Sequence, residues 1–232
     1  VPVPMSMLSF PNILIGTGTG AGNSIRQSDM NIAIGSRALD TISDYTSREN
    51  IAIGREAARF MDSGSSNVAI GFYSMGNADN ADYAVGIGYQ ALHNGGDYNI
   101  GIGYRAGRYL SNTSNIAIGR EVGLGLTSTA AYNTGIGHLA LGGAGTEDTG
   151  TGYGNTAVGV SSLPYLQNGS YNTALGKSSG RGLTNGNYNT FVGERAGYEI
   201  STGNNNTILG QIAGYEISTG NENTILGKWA GY

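Results

Sequence analysis

Residues 196–212 read AGYEISTGNNNTILGQI, and residues 213–229 read AGYEISTGNENTILGKW. The second seventeen-residue unit repeats the first at all but three positions. A unit that recurs at one fixed interval of this size is typical of a solenoid or array, in which each copy buries its apolar side against the next. The pair therefore predicts that the fold is a stack of similar coils.

The core of this unit, Asn-Thr-Ile-Leu-Gly, can be followed backwards through the whole chain. Half of the intervals from one copy to the next are seventeen residues long, and the others range from fifteen to twenty-two. The variation falls after the ninth residue of the motif. Thirteen such copies leave no room for another domain. They begin at Asn12, Asn31, Asn50, Asn67, Ala84, Asn99, Asn115, Asn133, Asn155, Asn172, Asn189, Asn206 and Asn223.

We predict a single repeat domain over residues 1–232. Residues 1–11 are its lead-in, residues 12–132 carry Asn-Ile-Ala-Ile-Gly repeats, and residues 133–232 carry Asn-Thr-x-x-Gly repeats. In the last three copies the second residue after the motif Asn is also large: Phe191, Ile208 and Ile225. Because neighbouring side chains of a strand point to opposite faces, these large side chains lie on the other face of the strand. The two styles indicate two segments of one stack with different cross-sections.

Three further positions of the motif hardly vary. The third residue after the Asn is always a large aliphatic, and we predict that this column is the structural core. The next residue is always Gly, which fits a turn with positive φ or a backbone approach too close for a β-carbon. The seventh is nearly always Ala or Ser, so we expect room there for a small side chain only. The predicted core column includes Ile34, Ile53, Ile70, Ile102, Ile118, Val158, Leu175, Val192, Leu209 and Leu226.

Each motif carries three consecutive strand-forming residues, such as Ile32, Ala33 and Ile34. Such a run predicts a short strand that is buried on both faces. A coil of about 17 residues could form two or three short strands, but it is too thin to bury both faces by itself. The second buried face therefore predicts a partner chain. The predicted fold class is all-β, a parallel β-roll or β-solenoid of about thirteen short coils.

Two polar columns accompany the aliphatic one. We expect the Asn side chains of successive coils to lie in register about 4.8 Å apart, where amides can hydrogen-bond in a ladder. A column of Thr suggests an ice-binding solenoid as one alternative function, although the positions beside it are bulky. The Thr column comprises Thr134, Thr156, Thr173, Thr190, Thr207 and Thr224.

The composition excludes several classes of protein. Gly, at 41 of 232 residues, is more than twice its usual share of about 7%, and the charged share of 12% is about half the usual 25%. A net charge of −4 with 39% apolar residues argues against disorder and against a binder of nucleic-acid phosphates. Without Cys there is no disulfide framework or thiolate metal site.

No apolar run reaches the roughly 18 residues of a membrane span, so we expect no membrane insertion by this segment. The repeats stop partway through a copy, so we expect a piece of a longer protein.

The motif Asn-x-Ala-Ile-Gly-x-x-Ala resembles the repeat of the YadA-like head of trimeric autotransporter adhesins, over residues 31–38, 50–57, 67–74 and 115–119. The later Asn-Thr-x-Leu-Gly form with Ser-Thr-Gly-Asn spacers is similar to the repeat arrays of phage tail fibres. The resemblance covers nearly the whole chain. It implies a left-handed parallel β-roll, a homotrimer around one axis, and attachment to a host surface.

No constellation in the sequence favours catalysis, and we predict that the chain is not an enzyme. Its two histidines, His93 and His138, lie in separate copies without triad or metal-ligand spacing. Glu199 and Glu216 could approach each other in a stack as a glycosidase pair does, but repetition of one column explains them and nothing near them forms a sugar cleft. We expect no cofactor and no metal site.

The candidate contacts to a receptor are tyrosines and the longest connection, residues 139–154. An inserted stretch must bulge out of a stack, which makes Glu147, Asp148 and Tyr153 the favoured participants. Tyr132 and Tyr45 are further candidates, because Tyr offers a large contact area at low entropy cost and can stack on sugars. For columns such as Tyr198, Tyr215 and Tyr232, stacking of the rings on one another is the favoured interpretation.

The function predicted from these features is a structural and host-attachment segment of a phage tail fibre in the virion. It would be a trimeric shaft or head that contacts a cell-surface glycan or protein. The head of a bacterial trimeric surface adhesin, on the outer surface of the cell, is the first alternative, and the ice-binding solenoid is the third possibility.

Overall fold

The computed structural model describes residues 12–16, 30–41, 47–124, 126, 129–142, 150 and 152–232. Over these residues the chain is an all-parallel β-solenoid, with no helix among them. Each turn contributes one three-residue strand to a single parallel sheet, whose spatial order follows the chain order. The predicted stack of coils is confirmed. The strands are β1 (Ile13–Ile15), β2 (Ile32–Ile34), β3 (Ile51–Ile53), β4 (Val68–Ile70), β5 (Val85–Ile87), β6 (Ile100–Ile102), β7 (Ile116–Ile118), β8 (Thr134–Ile136), β9 (Thr156–Val158), β10 (Thr173–Leu175), β11 (Thr190–Val192), β12 (Thr207–Leu209) and β13 (Thr224–Leu226).

The rest of each coil is turn, because the backbone enters the left-handed region repeatedly. In the coil that begins at Asn50, φ is +132° at Gly54, +58° at Glu56, +47° at Ala58 and +58° at Ser66. Residues in this region turn the chain and cannot continue an extended strand. Apart from isolated bridges such as that between Thr202 and Thr219, the described coils therefore hold one strand each, rather than the two or three considered from the sequence.

The predicted core column is wrong for the single chain. Successive side chains of a strand point to opposite faces, and the middle residue of each strand is the one that points into the coil. Ala33 and Phe191 are fully buried, whereas Ile102 is 36% and Leu226 is 63% exposed. The ten residues of the predicted column are half-buried or exposed on the outside of the sheet: Ile34, Ile53, Ile70, Ile102, Ile118, Val158, Leu175, Val192, Leu209 and Leu226.

Two other columns fill the interior of the coil. One lies eight residues after the motif Asn and contains Leu39, Met75, Leu92 and Leu163. The other lies eleven residues after it and contains Met61, Leu110, Leu126, Leu166, Leu183 and Ile200. The small residue at the seventh position is buried between them, as predicted, for example at Ala38, Ala57, Ser74, Ala91, Ala106, Ser162 and Ala196.

The Gly after a strand is required because the backbone of the next coil along the chain lies close to it. At Gly193 φ is +129°, and an added β-carbon would stand 2.6 Å from the carbonyl oxygen of Gly210. Gly35, Gly54 and Gly71 meet the next coil in the same way, at 2.6 to 2.7 Å. Both reasons predicted for this Gly column, a positive φ and a close backbone approach, are confirmed.

An inner ladder of Asn side chains joins successive coils. Asn189 donates from its backbone N and from Nδ2 to Oδ1 of Asn172, at 3.0 Å each, and Nδ2 also donates to the carbonyl of Gly203 at 2.8 Å. Asn206 and Asn223 repeat the contacts to the preceding Asn. The predicted ladder is confirmed, and Ala84 is its one substituted position in the described chain.

A second, outer ladder runs two residues before the motif Asn, and the sequence patterns did not predict it. The backbone N of Ser170 donates to Oδ1 of Asn187, that of Asn187 to Asn204, and that of Asn204 to Asn221, at 2.9 to 3.0 Å. Here each donor lies one coil before its acceptor, whereas in the inner ladder each donor lies one coil after it. The two ladders therefore have opposite polarity along the stack.

Candidate functional site

An apolar outer face extends along the whole sheet. We use this name for the outward side chains of the strands, the first and third residue of each. Along the first seven strands both are Ile, Val or Leu, as at Ile51 and Ile53, and from β8 onward the first is Thr. Thirteen strands at about 4.8 Å give a strip about 58 Å long, and its side chains are half-buried or exposed throughout the described chain.

Three of the five predicted receptor contacts, Glu147, Asp148 and Tyr45, lie outside the described residues. The other two, Tyr132 and Tyr153, are neighbours in space, with ring centroids 5.0 Å apart. Tyr132 is 54% and Tyr153 is 39% exposed. The structure thus places both tyrosines on the surface and in contact with each other.

Tyr153 departs from the regular spacing of this tyrosine column. Tyr132 and Tyr171 occupy the left-handed position directly before the motif Asn, but before Asn155 that position is Gly154, and Tyr153 stands one residue earlier. Its ring is consequently tilted by 57° to Tyr132 and 63° to Tyr171, whereas Tyr171 and Tyr188 stack at 9°. Desolvation, with smaller contributions from Tyr132 and Tyr171, raises the pKa of Tyr153.

Most other tyrosines stack in columns, as predicted. Tyr198 and Tyr215 lie 4.8 Å apart at 6°, and Tyr215 and Tyr232 lie 5.7 Å apart at 27°. Tyr83 and Tyr98 stack at 10°. A ring between two parallel neighbours has both faces covered, so these columns present ring edges and hydroxyls to solvent. Stacking on a sugar face is therefore restricted to column ends and to tilted rings.

A column of aromatic rings with a cation at each end follows the Gly turn of five successive coils. The Arg55 guanidinium lies 4.2 Å from the Phe72 centroid, and Tyr89 and Tyr104 stack at 5.2 Å. Arg120 lies 5.9 Å from the Tyr104 centroid on the far side. These contacts stabilise the coils through cation–π and ring stacking, and the sequence patterns did not reveal them because the residue types change along the column.

A shallow polar groove crosses the connections of the coils on either side of Asn77 and Asp79. One hollow of about 430 Å³ is lined by these residues with Asn80, Asn94 and Asn112 among others. A second hollow of about 480 Å³ shares Asn77 and Asp79 and is also lined by Thr41, Phe60 and Asp62. The two hollows together form what we call the groove. The predicted sites did not include it, although the two shortest intervals of the repeat mark its position in the sequence.

Two titratable groups with shifted pKa values, Glu56 and His93, act in structural contacts. Glu56 accepts a hydrogen bond from Arg59 at 2.8 Å. Its pKa is lowered, chiefly by a hydrogen bond from Tyr73 and further by Arg59, which offset its desolvation. The pKa of His93 is lowered because the ring is partly desolvated against the stack, where it lies 5.5 Å from Tyr73. Neither group belongs to a catalytic constellation.

Among the described residues no cluster of three or more His, Cys, Asp or Glu could hold a metal ion. The same part of the chain contains no helix capable of crossing a membrane. Glu199 and Glu216 occupy one column and are exposed.

No protein-family model, curated protein or solved structure matches the chain.

Proposed function

We propose that this chain is a structural and host-attachment segment of a phage tail fibre, which forms a homotrimeric shaft or head and acts without catalysis. The observation that carries the proposal is the apolar outer face. Its two residue columns are about 7 Å apart, so the strip covers on the order of 400 Å² of largely apolar surface. The largest apolar patch of an ordinary monomer is about 300–600 Å² and is often functional, so the support comes from the regularity of this one, which extends along the whole sheet.

Three copies around one axis would cover this face, because the strips repeat at the same strand spacing in every copy. The sheet would then be buried on both sides, as its Ile and Val content favours. The resemblance of the repeats to trimeric adhesin heads and tail-fibre arrays supports three copies, wound left-handed and either intertwined or side by side. Besides further copies of the chain itself, the proposed partner is a glycan or protein on the host surface.

Light scattering of the purified chain tests the assembly. We expect a trimer, and we expect Ile118→Asp to yield a folded monomer. Ile118 is half-buried on the outer face, so an aspartate there stays solvated in the single chain but would be desolvated and unpaired in a trimer. Gln211→Asp is the control, because Gln211 is exposed off that face. A wild-type monomer that stays in solution would contradict the proposal.

Adsorption to cells tests the attachment role. Fluorescently labelled trimer should bind some members of a panel of bacterial strains and should compete with phage for those strains. The head of a bacterial surface adhesin is the alternative, since the same outer face would serve it, and a trimer that binds animal cells or matrix but no bacteria would favour it.

Ice binding has one observation in its favour, the six Thr of the outer face that lie in register from β8 to β13. The aliphatic residues two positions away break up a paired Thr surface. We therefore expect no thermal hysteresis.

A further inference from the structure

The first hollow of the groove lies over the two shortest coils. Most coils of the second half span seventeen residues, but the coil from Ala84 is two residues shorter and the coil from Asn99 is one residue shorter. Missing residues can only come from the connection, since the motif is constant, so the surface recedes there. Gly95 and Gly96 line the receded part and offer no side chain that could fill it. This hollow is thus specified by the sequence.

The groove is long enough for an extended ligand. Its lining starts at Thr41 and ends at Asn112, four coil steps later, which corresponds to about 19 Å along the stack. Asn77 and Asp79 lie in the middle and line both hollows. An oligosaccharide of several units could lie along it, in contact with five coils.

Hydrogen-bonding groups of both kinds face the groove without protein partners among the described residues. The Asp79 carboxylate accepts no hydrogen bond, and the side-chain nitrogens of Asn80, Asn94 and Asn112 donate none. The oxygen of each of these amides is already engaged: Asn80 accepts from Ser63, Asn94 from Asn77, and Asn112 from the backbone of Thr113. The amides are thereby held in place with their donors free. A sugar hydroxyl matches this set, since it donates to a carboxylate and accepts from an amide N–H.

An aromatic ring completes the groove. Phe60 is 38% exposed and lines the second hollow. Unlike the stacked tyrosines, it belongs to no ring column, because Thr41 and Asn77 occupy the same position in the neighbouring coils. The Arg59 guanidinium lies 4.4 Å from its centroid and covers one side. The ring therefore supplies an apolar contact of the type on which the C–H face of a pyranose packs.

We propose that the groove binds a neutral glycan along the axis of the stack. The charge of the lining selects against acidic sugars, because Asp62, Asp79 and Asp97 are all in it and no Lys or Arg is among the described residues that line either hollow. Amide donors, a free carboxylate and an exposed ring together fit neutral hexose or N-acetylhexosamine units. This assignment rests on the proposed attachment function and names the class of receptor for it.

A glycan array that displays neutral hexose and N-acetylhexosamine oligosaccharides beside sialylated and uronic-acid glycans tests the proposal on the intact chain. We expect binding to neutral members only. Ser111→Trp fills the groove from an exposed position, and Asp79→Ala removes the free acceptor, so each should weaken binding at least tenfold. Ser218→Trp is the matched control, because Ser218 is exposed at the same position of a coil outside the groove and should leave binding unchanged.

The far-UV spectrum and melting temperature of each variant show that the coil stack is intact. Binding of acidic glycans in preference to neutral ones would overturn the proposal, and so would a lack of any glycan binding or binding that survives both groove variants. Light scattering keeps this outcome separate from the proposed function. A trimer that adsorbs to bacteria but fails on the array would leave the attachment role standing and refute the groove alone.

Discussion

The ring of Phe191 packs against Gly197, where an added β-carbon would stand 2.5 Å from two ring carbons. Phe191 fills the middle of its strand and Gly197 lies six residues later, at the position that holds Leu163 in the coil of Ala157. In these two coils a large middle residue is thus paired with Gly, and a small one with Leu. The two coils fill their interiors in two different ways.

This pairing predicts a strong coupling between the two positions. Gly197→Leu alone overpacks the coil and should destabilise it by about 3 kcal/mol or more, and Phe191→Ala alone should cost about 3–5 kcal/mol through the cavity it leaves. The double variant recreates the Ala157 and Leu163 arrangement. We expect it to recover about 2 kcal/mol or more relative to the sum of the single changes, as measured by urea unfolding at fixed protein concentration. Additive effects would show that the two side chains do not share space.

The inner ladder predicts a large penalty for Asn189→Ala. Asn189 is fully buried, and its removal leaves the Gly203 carbonyl and the backbone N–H of Asn206 without partners. The Asn206 side chain loses one of its two hydrogen bonds and keeps the one to the Gly220 carbonyl. At about 1–3 kcal/mol for each buried group, the free energy of unfolding should fall by about 3–5 kcal/mol. Asn185→Ala removes an exposed amide-to-amide contact to Asn168 and should change it by less than about 0.5 kcal/mol. Equal effects of the two variants would contradict the assignment.

The Gly column predicts a difference between two Gly→Ala variants. Gly193 and Gly227 both have positive φ, at +129° and +115°. A β-carbon at Gly193 meets the carbonyl of Gly210, whereas at Gly227 the nearest atom is the β-carbon of Ala230 at 3.9 Å. Backbone strain is common to both, so the excess destabilisation of Gly193→Ala measures the clash between coils. We expect a melting temperature clearly lower for Gly193→Ala, and the reverse order would refute the clash.

The contacts of Glu56 predict a pH-dependent contribution to stability. The folded chain lowers the pKa of Glu56 below its ordinary 4.5, so the unfolded chain binds more protons as the pH falls. The stabilisation is complete above about pH 4.5 and is lost as the pH drops through the folded pKa. Glu56→Gln should therefore lower the melting temperature at pH 7, and this effect should shrink as the pH falls below 4.5. The exposed Glu199→Gln is the control, and a Glu56→Gln effect that stays constant with pH would contradict the contact.

Much of the fold could be predicted because one short motif recurs thirteen times. The strands, the Gly turns, the small seventh position and the Asn ladder each follow from a column that hardly varies. The core column could not be assigned in the same way, because Ile32 and Ile34 are larger than Ala33 between them and size suggested that they were buried. The interior of the closed coil has room only for the middle residue of each strand. This depends on the cross-section of the coil, which no single column of the repeat determines.

The candidate sites were less predictable, for a different reason. The prediction followed the longest connection, since inserted residues must leave the stack, but Glu147 and Asp148 lie outside the described residues. The first hollow of the groove forms where residues are missing, between Ala84 and Asn115, and the polar side chains of the groove do not recur as a motif. A deletion in one coil becomes a cavity only when its neighbours are longer, so this signal lies in the differences between intervals.

The opposite polarity of the two amide ladders has a consequence for the length of such a rod. An α-helix aligns its peptide dipoles, so partial charges develop at its two ends. Here the N–H groups of the inner ladder point toward the start of the chain and those of the outer ladder toward its end, as between Asn189 and Asn172 and between Asn187 and Asn204. The strand hydrogen bonds likewise run both ways, from Ile51 to Asn67 and from Gly54 to Ile34. Each added coil then contributes opposing dipoles along the axis, so the partial charges at the two ends of the stack grow less with its length than they would if all these bonds pointed one way.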